Sequence, residues 1–342
     1  MERSNHTSPG ATMQFLLLGF SDLLGLRALL FCCFLAVHLA TLAGNLLILL
    51  AVAAEAPRPP MLLFLGQLSA IECCYTLVIA PRALADLASM GTSTISLVGC
   101  ATQMHCFVAL GGAECFLLVA MSYDRYVAIC WPLRYTAVMS QAVCLRLALL
   151  CCLGGFAVSL GLTVAVFQLP FCGSHRINHF FCDIPALLHL ACTRRYSSEL
   201  PLLAACVLLL LLPFLLILAS YACITGAVLR IRGSSGRSKA FSTCASHLAV
   251  TSLHYGCATF MYVRPKSNYS PGRDKMVALI YTNITPLLYP LIYSLRNKEV
   301  KGAVRKLLKK RLAQPAGIPS SRGLHSSGAA GPGGRNARTA VC

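Results

Sequence analysis

Three side chains of this sequence lie where polar groups are costly. Asn45, Glu72 and Glu114 each fall inside a long apolar run, and a charged group at the depth of a bilayer centre costs roughly 3 kcal/mol or more. If the runs pack together, two neighbouring carboxylates cannot both stay charged unaided, so Glu72 and Glu114 predict an internal site for a proton or a sodium ion; no other cofactor is expected. A second cluster, Asp124-Arg125-Tyr126, closes an apolar run that starts near Cys100, about 25 residues or ~37 Å of helix earlier. One helix then links a crosslinkable thiol at one end to a charge cluster at the other, which suits transmission of a signal across a bilayer. Cys172, Cys182 and Cys192 share one loop of about thirty residues. With Cys100 they make two disulfides in an oxidising compartment, in any of three pairings. His179-Phe180-Phe181-Cys182-Asp183 has the composition of a metal-ligand cluster, but an oxidised Cys182 offers no thiolate. No HExxH, GxSxG or paired metal motif occurs, so an enzyme is not expected.

The elements that carry these residues are membrane spans. The chain of 342 residues is 57% hydrophobic and 12% charged, about half the charge of a soluble domain. A helix crossing the ~30 Å hydrocarbon layer needs about 20 apolar residues, and seven stretches qualify: 28–54, 60–84, 96–123, 147–169, 201–229, 240–263 and 276–295. The expected fold is all-α, a seven-transmembrane helix bundle over residues 28–295. Span 6 carries only His247 and His254, and Pro213, Pro286 and Pro290 predict kinks in spans 5 and 7. Most of the nineteen cysteines lie in these runs, where cysteine acts as a small hydrophobe.

The net charge of +18 has the sign for nucleic acid, but the basic residues sit between spans and in the tail, so no nucleic-acid partner is expected. Arg58, Arg134, Arg146, Arg230, Arg232, Arg237 and Lys239 follow or flank alternate spans, and eight more basic residues lie between Arg296 and Arg311. That bias puts the C-terminus in the cytoplasm and residues 1–27 outside. Asn5, in Asn5-His6-Thr7, is then a glycosylation site; Asn268 lies in a second sequon, and Asn283 in a third that a span makes unusable. Residues 1–27 lack a basic leader and a long apolar stretch, so span 1 is expected to insert by itself. Residues 296–312 read as a basic amphipathic helix on the inner leaflet, with Val300, Val304, Leu307 and Leu308 on its apolar stripe. Residues 313–342, rich in Gly, Ser, Ala, Pro and Arg, read as a disordered tail.

Three runs carry a family signature. Met121-Ser122-Tyr123-Asp124-Arg125-Tyr126-Val127-Ala128-Ile129-Cys130, followed by Pro132-Leu133-Arg134-Tyr135, resembles the third helix of olfactory receptors. Lys239-Ala240-Phe241-Ser242-Thr243-Cys244-Ala245-Ser246-His247-Leu248 resembles their sixth, and Pro290-Leu291-Ile292-Tyr293-Ser294-Leu295-Arg296-Asn297 their seventh. Gly44-Asn45 and Ser220-Tyr221 also fit. Over residues 10–312 the chain resembles the tetrapod-type olfactory receptors, rhodopsin-like G-protein-coupled receptors. It departs from the pattern at Pro57-Arg58-Pro59-Pro60-Met61-Leu62, at Ser122, at Trp131 and at Tyr289, which stands where such receptors usually carry Asn.

The resemblance implies a plasma-membrane receptor that binds a volatile small molecule and activates a stimulatory heterotrimeric G protein to raise cAMP. It implies a cavity in the outer half of the bundle. Met104, Phe107, Val108, Gly111 and Gly112 share one side of helix 3; Ala205 and Leu209 would face them from helix 5, Tyr255, Ala258, Thr259 and Tyr262 from helix 6, and Leu279 and Thr282 from helix 7. Phe107 stands where an amine receptor would need an acid, which favours neutral or weakly polar ligands. On the inner side Asp124, Arg125, Tyr126, Tyr221, Lys239 and His247 are the expected coupling residues, with Arg125 paired to Asp124 at rest and swinging toward Tyr221 on activation. The rival readings are a receptor of this class for a non-odorant metabolite and a non-signalling relic; a transporter would want internal repeats, which the chain lacks.

Overall fold

The computed structural model describes residues 13–89, 93–172, 174–192, 196–230, 234–263, 270–296 and 298–313. Asn5, Asn268 within residues 264–269, and the tail beyond residue 313 lie outside them. Within the described residues the long helices are α1 (Arg27–Ala54), α2 (Pro60–Ala88), α3 (Leu97–Cys130), α4 (Gln141–Phe167), α5 (residues 196–229), α6 (Ser234–Tyr262) and α7 (residues 271–296), followed by α8 (Lys298–Ala313). Six of them are long and apolar enough to cross a membrane; α6 has the length, 29 residues, but is more polar. Their outward faces carry exposed Leu46, Leu149, Leu153, Leu203 and Leu215, as helices in lipid should.

Helix ends follow caps rather than hydropathy. Ser96 Oγ accepts from the Gly99 N–H at 3.1 Å and starts α3; Ser140 Oγ accepts from Val143 N–H at 3.4 Å and starts α4 six residues before the expected span. Pro60 opens α2, where its missing N–H costs nothing. Likewise α2 and α3 run past residues 84 and 123, to Ala88 and Cys130. Apolarity marks the immersed part of a helix, whereas the helix itself continues until its backbone groups find other partners. The unusual Pro57-Arg58-Pro59 turn serves that purpose: Arg58 Nε donates to the Val52 carbonyl at 2.9 Å at the end of α1.

Two of the expected kinks take a specific form. A π-helical turn, Val207–Leu211, precedes Pro213, and another, Ile280–Ile284, precedes Pro286. A proline ring clashes with the carbonyl four residues back and removes one hydrogen bond. Those carbonyls belong to Leu209 and Thr282, inside the widened turns, so the π turns make room for the rings.

The bundle is tightest between α3 and α4. A Cβ placed on Gly155 would stand 2.4 Å from the Ala109 carbonyl oxygen and 2.5 Å from the Ala113 nitrogen, so the two backbones touch through small residues. At the far end, three short strands make a sheet absent from the sequence reading: β1 (Gln14–Leu17) lies between β2 (Ser93–Ser96), antiparallel, and β3 (Arg176–Ile177), parallel. Two disulfides, Cys100–Cys182 and Cys172–Cys192, select one of the three pairings. Phe15, Leu17, Ile177, Phe180 and Phe181 are fully buried under this cover.

At the opposite end, α8 spans residues 298–313 rather than 296–312. Val300 and Ala303 are buried, Val304 and Leu307 are half-buried against the bundle, and Leu308 falls outside the described side chains. Lys306 Nζ reaches Glu55 Oε1 at 2.5 Å.

Candidate ligand cavity and signalling end

A cavity of about 90 Å³ lies between α3, α5, α6 and α7, below the sheet-covered end. Phe107, Val108, Gly111 and Gly112 of α3, Ala205 and Leu209 of α5, and Ala258 and Tyr262 of α6 line it, as their helical spacing implied. Five expected residues do not. Met104 is fully buried one turn above, packed with Cys100 and the loop residues. Tyr255 turns away and donates its hydroxyl to the Cys115 carbonyl at 2.9 Å. Thr259 is exposed on the outer face of α6. Leu279 packs against the aromatic cluster of Phe20, Phe107 and Phe181, and Thr282 donates back to the Ala278 carbonyl at 2.7 Å. On α7 the cause is the π turn, whose extra residue rotates the helix face: Tyr281 and Thr285 line the cavity in place of Leu279 and Thr282.

The deep side of the cavity is polar. Glu72, Glu114, Cys115 and His254 line it. Glu114 Oε1 stands 2.8 Å from His254 Nδ1 and accepts the hydroxyl hydrogen of Tyr289. Tyr289 Oη is also 3.3 Å from His254 Nδ1, and Cys115 Sγ is 3.3 Å from His254 Nε2. This cluster joins α3, α6 and α7. Glu72 is buried, and neither of its carboxyl oxygens has a hydrogen-bond partner among the described residues. Asn45 is buried too, its amide donating to the Thr41 carbonyl at 3.0 Å and the Pro286 carbonyl at 3.5 Å. As a sodium site the donor set is incomplete: Glu72 offers two free oxygens, but Glu114 already faces an imidazole and a phenol. The described residues hold no group of three metal-ligating side chains.

Above the cavity the loop supplies Ile184 to the lining, and Asp183 beside it bonds to the lining residue Tyr262. Asp183 Oδ1 accepts from Tyr262 Oη at 3.0 Å and from the Ile184 N–H at 2.8 Å. Cys182 is spent in its disulfide, so the His179–Asp183 run has no thiolate for a metal. His179 is buried against Phe180 and Phe181, ring centroids 4.7 and 4.6 Å away. Burial holds its imidazole well below the usual 6.5, at about 3.

At the other end of α3, Arg125 Nε lies 3.6 Å from Asp124 Oδ2, and Tyr135 donates its hydroxyl to Asp124 Oδ1 at 2.8 Å. Tyr221 and His247 are buried and stacked on each other, 5.7 Å between ring centroids, with no hydrogen-bond partner among the described residues. Tyr126 Oη accepts from Trp131 Nε1 at 3.2 Å. The Lys239 side chain lies outside the described ones.

The sequence matches the model of the olfactory receptor family over residues 32–311. The chain belongs to the olfactory receptor family. It is 65% identical to human olfactory receptor 10AC1 over 311 residues, 90% of this chain and 95% of that one. It is 46% identical to human olfactory receptor 10K2 over 314 residues, covering 92% and 99% of the two chains. With human olfactory receptor 10C1 the identity is 49% over 298 residues, 87% and 95%.

This olfactory receptor is therefore a non-enzymatic, multi-pass membrane protein with the seven-transmembrane bundle of its family, the more polar α6 being its sixth span. Sequence reasoning missed the cavity residues Tyr75, Leu162, Leu202, Cys206, Tyr281 and His254. For His254 a signal existed: it is one of two histidines in a span with no Asp, Glu, Lys or Arg. For Tyr281 none did, because a π turn leaves no mark on hydropathy.

Proposed function

We propose that this receptor binds a small volatile molecule in the cavity and responds by activating a stimulatory heterotrimeric G protein at the Arg125 end, raising cAMP. The disulfide end then faces outward, and α8 and the tail lie in the cytoplasm of a cell whose plasma membrane holds the receptor. One observation carries this reading: the apolar cavity rests directly on the Glu114–His254–Tyr289 cluster, which joins three helices. A ligand that displaces His254 acts on α6 relative to α3. It favours the active arrangement only by its extra affinity for that arrangement. Arg125, paired with Asp124 at rest, is then free to turn toward Tyr221 and His247.

The lining is mostly apolar with a few hydroxyls, which matches neutral or weakly polar ligands. In this reading the imidazole of His254 is the partner of Glu114, and sodium is at most a competitor for Glu72. A cAMP reporter assay of surface-expressed receptor against a broad odorant panel tests the proposal. The expected result is a saturable cAMP rise to at least one odorant, lost in Arg125→Ala at equal surface density. A saturable response that persists in Arg125→Ala overturns the coupling mechanism; coupling to another second messenger overturns the choice of G protein.

A further inference from the structure

We propose that the cavity is reached from the bilayer, through a groove between α4 and α5, rather than from water at the disulfide end. This rests on the reading of the cavity as the ligand site. The groove is open to the lipid and measures about 330 Å³. Small residues leave it unfilled: Ala157, Gly161 and Ala165 on α4 and Ala204 on α5. A Cβ on Gly161 would meet no atom within 4 Å. By contrast, Gly155 on the α3-facing side of the same helix has no room for one, so the open space lies on the side of α4 that faces α5.

The groove and the cavity share two wall residues. Leu162 and Ala205 line both, so the partition between lipid and ligand site is one side chain thick. Leu162 is the movable part, since a leucine changes rotamer without disturbing its helix, and Ala205 opposite is too small to block the opening. The neighbouring π turn places consecutive residues on the two sides: Leu208 lines the groove and Leu209 the cavity.

Among the described residues the aqueous side is closed by comparison. The β1–β2–β3 sheet and two disulfides cover it. Beneath them, the Asp183–Tyr262 and Tyr262–Tyr281 hydrogen bonds, at 3.0 and 3.3 Å, tie the loop to α6 and α7 across the top of the cavity. A lipophilic, uncharged molecule concentrates in the bilayer and meets the groove there. A charged, water-soluble molecule does not, so the path itself selects the ligand class.

Cys206 offers a probe that needs no known odorant. It lines the cavity, is half-buried, and its thiol faces the Tyr262 carbonyl at 3.6 Å. Full-length receptor in cell membranes is treated either with an N-decylmaleimide dissolved in the bilayer or with a cationic methanethiosulfonate added outside. Peptide mass spectrometry then reads the labelling of Cys206 separately from exposed Cys74 on α2, the internal reference. The expected result is labelling by the maleimide only, slowed at least tenfold by Gly161→Phe and unchanged by Gly161→Ala. If Gly161→Phe fails to reach the surface, Ala204→Phe fills the same groove from α5. Three outcomes overturn the proposal: no maleimide labelling of Cys206, an unchanged rate in the filled variants, or labelling by the cationic reagent at a comparable rate. Since the measurement uses neither agonist nor cAMP, a receptor that fails every odorant in the panel still gives a decisive answer here.

Discussion

Tyr289→Phe removes one oxygen atom and leaves the ring that fills the space. Tyr289 is 1% exposed, so no water replaces the lost hydroxyl from bulk solvent. The hydroxyl donates to Glu114 Oε1, and leaving one partner of a buried hydrogen bond unsatisfied costs about 1–3 kcal/mol. If the bond belongs to the resting arrangement, its loss shifts the resting–active equilibrium by roughly 5- to 150-fold. A receptor about 1% active at rest then becomes roughly 5 to 60% active without ligand. The assay is basal cAMP per receptor at the cell surface. Glu114→Gln should raise it too, and the double variant should fall short of additivity by at least about 1 kcal/mol, because the two side chains share one contact. Unchanged basal signalling in Tyr289→Phe at normal surface density would refute the idea that this cluster holds the resting state. Strict additivity would refute the direct contact as its cause.

Other variants probe the frame around that cluster. Gly155→Ala should cost about 1–3 kcal/mol by overpacking, because its Cβ meets the α3 backbone at 2.4 Å; thermal melting should fall for it, with Gly161→Ala as the neutral control. Lys306→Ala should change melting very little, since Lys306 is 66% exposed and its pair with Glu55 is solvent-screened; a large loss would show that α8 is held by charge rather than by Val300 and Ala303. His179 gives a pH dependence. Its folded-state value of about 3 lies below the ordinary 6.5, so its contribution is complete above pH 6.5 and is lost as pH falls toward 3. Melting of purified receptor should therefore drop from pH 7.5 to pH 5, and His179→Phe should flatten that part of the profile; equal slopes would assign the acid loss to other groups.

What the sequence made legible, and what it hid, divides along physical lines. Apolar runs show where a chain crosses lipid, and the family signatures confirmed which bundle they form. The face of α3 toward the cavity followed from uninterrupted helical spacing through Phe107, Val108, Gly111 and Gly112. That reasoning failed on α7, where a π turn before Pro286 rotates the face and brings in Tyr281 and Thr285. It failed at Tyr255, which lies close to the right angle but finds a carbonyl partner in Cys115. The strand Gln14–Leu17 was invisible because four residues with backbone partners far away in sequence carry no local periodicity. Pairing of Cys100 with the three loop cysteines was open for the same reason: spacing alone holds no three-dimensional distance.

The size of the cavity says which wall must yield to a ligand. Moving a population from 1:99 to 99:1 takes about 5.5 kcal/mol of differential affinity. If apolar contact supplied all of it, at ~25 cal/mol per Å² it would require roughly 220 Å² gained only in the active arrangement. A cavity of about 90 Å³ is smaller than the ~150 Å³ that accommodates benzene, so it cannot present that area without expanding. The α3–α4 wall cannot retreat inward, because Gly112 and Gly155 already bring the two backbones together. Tyr262 and His254 on α6 are held by side-chain polar contacts, Tyr262 to Asp183 and Tyr281 and His254 to Glu114, Tyr289 and Cys115, which a ligand can break or replace. Expansion therefore falls on α6, and the same displacement that makes room for the ligand separates His254 from Glu114 and loosens the helix that carries His247 at the other end.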